Sequence, residues 1–289
     1  MTRLIRTRRR RRVERGQAVI LMYHSISRGR PDPWNLCVDP DRFADQLRLL
    51  RDRFQVVSLG ALGEALAARR TLSRAVVISF DDGYRDNLLV AKPLLEQEGL
   101  PATVFVATGY LDAGRDFWWD ELEAFCASSS QPSRPLWQTL QPLTHEARFQ
   151  RLDKLWESID TPRPKPSLPL SVRELESLAE GTLIEIGAHT VTHPHLSSLS
   201  VDRQREEIQV SKASLADITG RPVTAFSYPH GDFSELTLGV VRSAGFQTAC
   251  TTHSAPVARR RAQSLALPRV QVENWDAETL EDTLESRLA

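Results

Sequence analysis

Ser79-Phe80-Asp81-Asp82-Gly83 follows directly on the apolar run Ala75-Val76-Val77-Ile78. Two adjacent carboxylates at the mouth of a buried strand are costly unless something uses their charge. Well downstream lies a second cluster, His189-Thr190-Val191-Thr192-His193. Histidines at this spacing meet on one face of a helical turn, or converge from a loop leaving a strand. With one Asp they form a two-histidine, one-carboxylate face that leaves positions open to water and substrate. A divalent ion on such a face lowers the pKa of its bound water to about 7 and polarises a carbonyl oxygen. Neighbouring side chains diverge, so one of Asp81 and Asp82 can bind the metal while the other takes a proton. Gly83 then permits a tight turn. His-x-x-x-His alone and Asp-Asp-Gly alone are both common; the two together at strand ends are a much stronger signal.

The elements that must position these residues read as β-α units. Short apolar runs alternate with helix-period segments, which argues for a parallel sheet. Strand candidates are residues 18–23, 55–58, 75–80, 102–107, 183–187, 225–228 and 247–251, with a possible eighth at 267–272. Residues 41–54 place Phe43, Leu47, Leu50 and Phe54 on one helical face. Further helices are expected over 87–98, stopped by Gly99 and Pro101, over 201–218 before Gly220, over 234–244 before Gly245, and over 277–287. The expected fold is α/β, a distorted (β/α) barrel of about seven to eight strands, with its chemistry where strand C-termini meet their loops. Asp81, Asp82, His189, His193 and Tyr228 all fall at or just past such ends. Residues 111–170 break the rhythm with Trp118, Trp119, Trp137, Trp156 and the Pro-rich stretch 161–166. They read as a partly helical insert, a lid or a substrate wall. Most of these tryptophans are expected to pack the insert onto the barrel, with Trp118 and Trp119 as the candidates for the wall.

A chain of 289 residues with 41% hydrophobic and 26% charged residues is an ordinary globular composition, long enough for one large α/β domain or two small ones. No domain boundary is evident within 17–289. The net charge of zero hides an asymmetry: the first fifteen residues hold eight Arg against Glu14, so the remainder is correspondingly acidic. A mildly acidic body does not suit nucleic-acid binding. The Arg run can contact an anionic membrane surface; the plainer reading of residues 1–16 is a solvated, disordered tail or an upstream start codon wrongly chosen. Cys37, Cys126 and Cys250 are odd in number and widely spaced, so neither a disulfide framework nor a thiolate metal site is expected. No stretch approaches the roughly 20 apolar residues of a membrane span. The apolar run at 18–22 is too short for an export signal and lacks a cleavage site. A cytoplasmic or membrane-peripheral protein is therefore expected, with export left open.

From about residue 75 to the C-terminus the chain resembles the polysaccharide deacetylases, the NodB-homology or family-four carbohydrate esterases. The carriers are Ser79-Phe80-Asp81-Asp82-Gly83, His189-Thr190-Val191-Thr192-His193-Pro194 and Phe226-Ser227-Tyr228-Pro229-His230-Gly231. The resemblance implies a distorted (β/α) barrel that removes an acetyl group from an N-acetylated sugar in a polysaccharide or glycan precursor. It implies Asp81 as general base and Asp82, His189 and His193 as ligands of a metal, usually zinc. Tyr228, Pro229 and His230 would form one groove wall, where a backbone N–H helps bind the oxyanion. The third motif of the family usually begins with an Arg that orients the base; here Ser227 stands there, and Arg269 is the candidate to supply the guanidinium. His230 replaces that motif's Tyr. The family's late Leu-x-x-His motif, which provides the general acid, is absent, since no histidine follows His253. Ile20-Leu21-Met22-Tyr23-His24-Ser25-Ile26 resembles the early strand of a circularly permuted branch acting on poly-N-acetylglucosamine, in which the acid histidine comes from near the N-terminus; His24 takes that place. The spacing of His195 fits neither ligand face, which puts it behind the ligands or in solvent. Two other readings stand beside this one: a C–N hydrolase of a non-sugar amide on the same fold, and an inactive glycan-binding relative. Intact Asp81, Asp82, His189 and His193 argue against the second.

Overall fold

The computed structural model describes residues 18–29, 32–70, 72, 74–165, 168–258 and 263–288; the basic segment 1–16 and the end of the Pro-rich stretch lie outside the described residues. Among the described residues ten strands run in chain order: β1 Ala18–Tyr23, β2 Ser25–Ile26, β3 Cys37–Val38, β4 Gln55–Val56, β5 Ala75–Phe80, β6 Ala102–Val106, β7 Ile184–Ala188, β8 Ala225–Ser227, β9 Thr248–Cys250 and β10 Val270–Gln271. The main sheet has the order β10-β1-β5-β6-β7-β8-β9, with every ladder parallel. On one edge of β5, β4 covers the start (Gln55 opposite Ala75) and β6 the end (Ala102 opposite Ile78). The two ends of the sheet are joined where Leu267 N–H donates to Ala249 O and Leu267 O accepts from Thr251 N–H, both at 2.8 Å. The expected distorted barrel is what forms. One strand differs from expectation: 267–272 is split, Leu267 bonding to β9 and Val270–Gln271 to β1. Pro268 between them has no N–H to give either neighbour. The small parallel pair of β2 and β3 was not anticipated, each being only two residues long.

The helices follow from local signals. Helix α1 (Pro40–Arg53) starts at Asp39, whose carboxylate accepts from Asp41 N, and buries Phe43, Gln46, Leu47 and Leu50. Helix α2 (Leu59–Ala67), capped by Ser58, was not expected as a helix. Helix α3 (Lys92–Glu98) ends at Gly99, whose φ of 65° is the left-handed cap that glycine adopts freely. Helices α4 (Trp118–Ser129), α5 (Ser133–Leu140) and α6 (His145–Glu157) lie between β6 and β7, and with Tyr84, Tyr110 and Phe117 they bury an aromatic-rich cluster of their own. Helices α7 (Val172–Ala179), α8 (Val201–Thr219), α9 (Glu235–Ser243) and α10 (Ala277–Leu288) complete the outer layer. Among the described residues no helix is long and apolar enough to cross a membrane.

Strand alternation decides what reaches the barrel interior. Val19, Leu21 and Tyr23 of β1, and Val76, Ile78 and Phe80 of β5, pack outward under the helices. Ala18, Ile20, Ala75, Val77, Phe105, Ala225, Cys250 and Leu267 pack inward around Leu59 and Leu62 of α2, which plugs one end. Phe105 fills the middle: a Cβ on Gly187 would lie 2.4 Å from its ring, so β7 needs glycine there. A fully buried Phe contributes about 1.5–3 kcal/mol. Continuing each inward run in steps of two brings His24, Ser79, Asp81, His189, Ser227 and Arg269 to the opposite end. The interior is thus apolar at the α2 end and polar at the end where the strands finish.

Candidate active site

Asp81 is almost fully buried and locked in place. Arg269 Nη1 donates to its Oδ1 at 2.7 Å and Nη2 to its Oδ2 at 2.6 Å, a two-pronged pairing. Arg269 is itself wholly buried, and its remaining donors are used: Nη2 to Ser227 Oγ at 2.8 Å, Nη1 to Ser79 Oγ at 3.3 Å, and Nε to Thr251 O at 3.0 Å. Burial alone would raise the Asp81 carboxyl, but the charges of Arg269 and His189 and the hydrogen bonds from Arg269 outweigh it and hold the group at about 2. Oδ2 also accepts from Ser227 Oγ at 3.4 Å, so the lone pair left over is on Oδ1, and Asp81 lines the pocket.

Asp82, one residue on, is partnered differently. Its backbone has φ 75°, a left-handed turn, and its Oδ1 is buried without a hydrogen bond. His189 Nε2 and His193 Nε2 each lie 3.4 Å from that oxygen. His189 donates Nδ1–H to Ser227 O at 2.7 Å, which leaves the Nε2 lone pair on the Asp82 side. His193, with φ 57°, is held by its own N–H to Thr190 Oγ1 at 3.1 Å, and Thr190 has φ 66°. Such left-handed backbone persists only where surrounding contacts enforce it. Here Glu207 of α8 enforces it: its buried carboxylate accepts from Val191 N, Thr192 N and Thr192 Oγ1 at 2.8, 2.8 and 2.6 Å. Among the described residues, Asp82, His189 and His193 form the one group with metal-ligand spacing, their donor atoms lying within 4.8 Å of one another. An oxygen and two imidazole nitrogens, one oxygen orphaned and buried, fit a divalent transition ion. His193 is held well below its usual pKa by burial and by the neighbouring His230 and His189, so it is neutral as a ligand must be. Burial also pushes His189 down, but the Asp81 and Asp82 charges outweigh this and raise it.

These groups open on a pocket of about 250 Å³, walled also by Met22, His24, Trp34, Trp119, Trp137 and His230. His24 stands level with Asp81, because Tyr23 pairs with Phe80 one step earlier. Its carbonyl accepts from Asn87 Nδ2 at 2.8 Å, and its buried Nδ1 has no partner. Burial lowers its pKa, against the upward pull of Asp82 and Asp81. His230 is in the wall, but Tyr228 and Pro229 are not. Tyr228 alternates away from inward-facing Ser227, is wholly buried, stacks on Phe233 at 4.7 Å and donates its hydroxyl to Leu265 O at 2.9 Å. Its N–H is already given to Cys250 O at 3.0 Å. The expected wall at Tyr228 and Pro229 is thus corrected. Trp119 is on the wall, while Trp118 lies behind it, packed on Trp137 at 4.4 Å. His195 stacks on His230 at 4.0 Å and does not line the pocket. Glu207, Trp34 and Trp137 were not singled out from sequence for the site. Only Glu207 carries a signal there, as a charge on the buried face of α8 with Gln204, Ile208 and Leu215.

The sequence pattern that defines the polysaccharide deacetylases matches residues 68–249, over half of the chain. The chain belongs to the polysaccharide deacetylase family. YxkH of Bacillus subtilis, which carries a polysaccharide deacetylase designation, is 26% identical over 256 residues, covering 88% of this chain and 70% of that protein. The fold matches the Streptococcus pyogenes deacetylase PplD, solved with acetate, with a TM-score of 0.70 at 22% identity, covering 93% of this chain and 99% of that one. It also matches IcaB of Ammonifex degensii with a TM-score of 0.66 at 19% identity, covering 95% and 98%. The chain is accordingly a metal-dependent hydrolase of C–N bonds in N-acetylated sugar polymers, with a possible metal-binding triad in place.

Proposed function

We propose that the metal is zinc, held by Asp82, His189 and His193, and that Asp81 and His24 move the protons of amide hydrolysis. The observation that carries this reading is the contrast at one peptide bond: Asp82 Oδ1 without a hydrogen bond between two imidazole nitrogens, Asp81 gripped through both oxygens by Arg269 beside the same pocket. Bound to the triad, zinc would supply a Lewis acid for the acetyl oxygen and a water of lowered pKa. Asp81, fixed by Arg269, orients the attacking water and accepts its proton through a free lone pair. The pairing makes it a weak base, suited to pass the proton on rather than keep it. Since Tyr228 N–H is taken and Pro229 has none, His230 N–H is the next along the motif that can donate to the oxyanion. His24 gives a proton to the amide nitrogen as the C–N bond breaks, releasing acetate and the amine. Its burial, which lowers its pKa, makes it a ready donor once charged. Residues 17–289 act as one catalytic unit, with 111–170 an insert that contributes Trp119 and Trp137 to the wall. The test is acetate release from N-acetylglucosamine oligomers and acetylated monosaccharides, before and after chelation and zinc return. Release that stops on chelation and returns with zinc is the expected result; release unaffected by chelation would sink the assignment.

A further inference from the structure

We infer that Trp34 and Trp137 form the subsite for the sugar next to the one that loses its acetyl group, which makes them determinants of oligomer specificity; this rests on the deacetylase reading above. The pocket at the triad measures about 250 Å³, below the roughly 300–1,000 Å³ of pockets that enclose whole drug-sized ligands. It takes one sugar ring with its acetamido group and leaves the adjoining ring at the mouth. Two half-buried indoles stand on that wall, from elements far apart in sequence: Trp34 from the turn between β2 and β3, Trp137 from α5. Their ring centroids are 4.5 Å apart with planes tilted by 45°.

Both indoles are held in place by contacts from behind and beside the wall. Trp137 is backed by Trp118 at 4.4 Å, over which the Arg148 guanidinium lies at 4.4 Å. The Trp34 turn is tied down by Asp32, whose carboxylate accepts from Leu36 N at 2.7 Å and Cys37 N at 2.8 Å. Gln271 Nε2 donates to Trp34 O at 3.2 Å and Asn35 O at 3.1 Å. A rigid indole offers a large apolar face at low entropy cost, which suits the C–H face of a pyranose. What Trp34 offers is its ring face rather than its N–H. The Trp119 N–H is already given to Tyr84 Oη at 2.9 Å, whereas Trp34 Nε1 is shut from solvent without an acceptor. Trp118 and Trp156 share that lack, but their rings belong to the α4–α6 cluster and not to this wall.

The competing account is that the pair only fastens α5 to the barrel. It predicts a loss of stability with no dependence on substrate length. The experiment compares zinc-loaded wild type, Trp34→Ala, Trp34→Phe and Trp137→Ala on N-acetylglucosamine and on its tetramer, reading kcat and KM separately. The expected result is that Trp34→Ala and Trp137→Ala raise KM for the tetramer about tenfold, the scale of one aromatic stack, several-fold more than they raise it for the monosaccharide, with Trp34→Phe partly restored. Equal losses on both substrates, or no change on the tetramer, would overturn the subsite. If wild type releases no acetate from either sugar, the deacetylase reading is what fails. Calorimetric titration of the tetramer into the same zinc-loaded proteins then decides this proposal: binding weakened by Trp34→Ala upholds it, and binding absent or undiminished overturns it.

Discussion

Asp81 and Asp82 are covalent neighbours, both nearly shut off from solvent, yet they are partnered in opposite ways. On the barrel-interior side, Asp81, Arg269, Ser227 and Ser79 close a hydrogen-bond network among themselves. On the loop side, Asp82 Oδ1 and His193 Nδ1 are buried with no hydrogen bond, and two imidazole nitrogens approach the same oxygen. Buried polar atoms are nearly always satisfied, so the exceptions point to chemistry. The interior corner holds one geometry; the loop corner has the donor set and spacing that could hold a cation. Backbone strain follows the same division: Asp82, Thr190, His193 and His230 all have positive φ, while Asp81 follows directly on a regular strand without one.

The comparison breaks most sharply at the loop corner. Asp82→Ala removes one of the three proposed metal ligands, so it should weaken metal binding by far more than the roughly 10- to 100-fold typical of an outer partner, and turnover should fall to background. Metal content after dialysis and acetate release check both; a variant that keeps stoichiometric metal would remove Asp82 from the triad. Next in size is Asp81→Asn. It should retain metal but lose about 100- to 10,000-fold in kcat, the range of a positioned acid or base. It also strips the buried Arg269 of its counter-charge, a change that costs about 3–5 kcal/mol when one member of a buried pair is removed. The pH dependence has a definite sign. The Asp81 carboxyl is held at about 2 in the folded chain against an ordinary 3.8, so the pair stabilises fully above 3.8 and the gain is lost as pH falls through about 2. Unfolding of metal-free protein across that window should be steeper in wild type than in Asp81→Asn. Near-normal kcat in Asp81→Asn would mean that Asp81 is not the base.

How much of this was legible in the sequence depends on which physical rule places each residue. Asp81, Asp82, His189 and His193 sit at the ends of apolar runs, and strand ends are where a parallel barrel gathers its loops. Arg269 could be suspected only from the missing guanidinium at Ser227. What the structure adds is that a short serine side chain leaves room for the Arg269 side chain to cross from the residue before β10 and bond both Ser227 and Asp81. Tyr228 was misplaced because adjacency in a motif was read as adjacency in space. Alternation turns it outward as soon as Ser227 turns in. Trp34 and Trp137 lie on a turn and a short helix whose positions depend on tertiary packing, and no periodicity announces them.

His24 tests whether the interior corner extends to β1. His24→Ala should keep the metal and the Asp81–Arg269 pairing, and lower kcat by about 100-fold, the lower end for proton transfer. The loss should shrink with substrates whose leaving group needs no protonation, such as an activated O-acetyl ester. Equal losses on amide and activated ester would return His24 to a structural role.

The smallest expected effect lies at the support of the loop corner. Glu207 touches no ligand atom, but it accepts from both N–H groups and the hydroxyl at Val191 and Thr192, which fixes the strained turn that presents His193. Glu207→Gln keeps the size and one acceptor oxygen while losing the charge and the second acceptor. The turn should loosen, and zinc affinity measured by competition with a chromophoric chelator should fall about 10- to 100-fold, as for other residues that orient metal ligands. Because the ligands themselves remain, kcat at saturating zinc should stay within a few-fold of wild type. The interior corner, which shares no hydrogen bond with Glu207, should keep its acid-stability profile unchanged. Should Glu207→Gln instead lower kcat at full zinc occupancy and leave affinity alone, the division between a corner that holds geometry and a corner that receives the cation would be wrong, and the loop would be positioning substrate as well as metal.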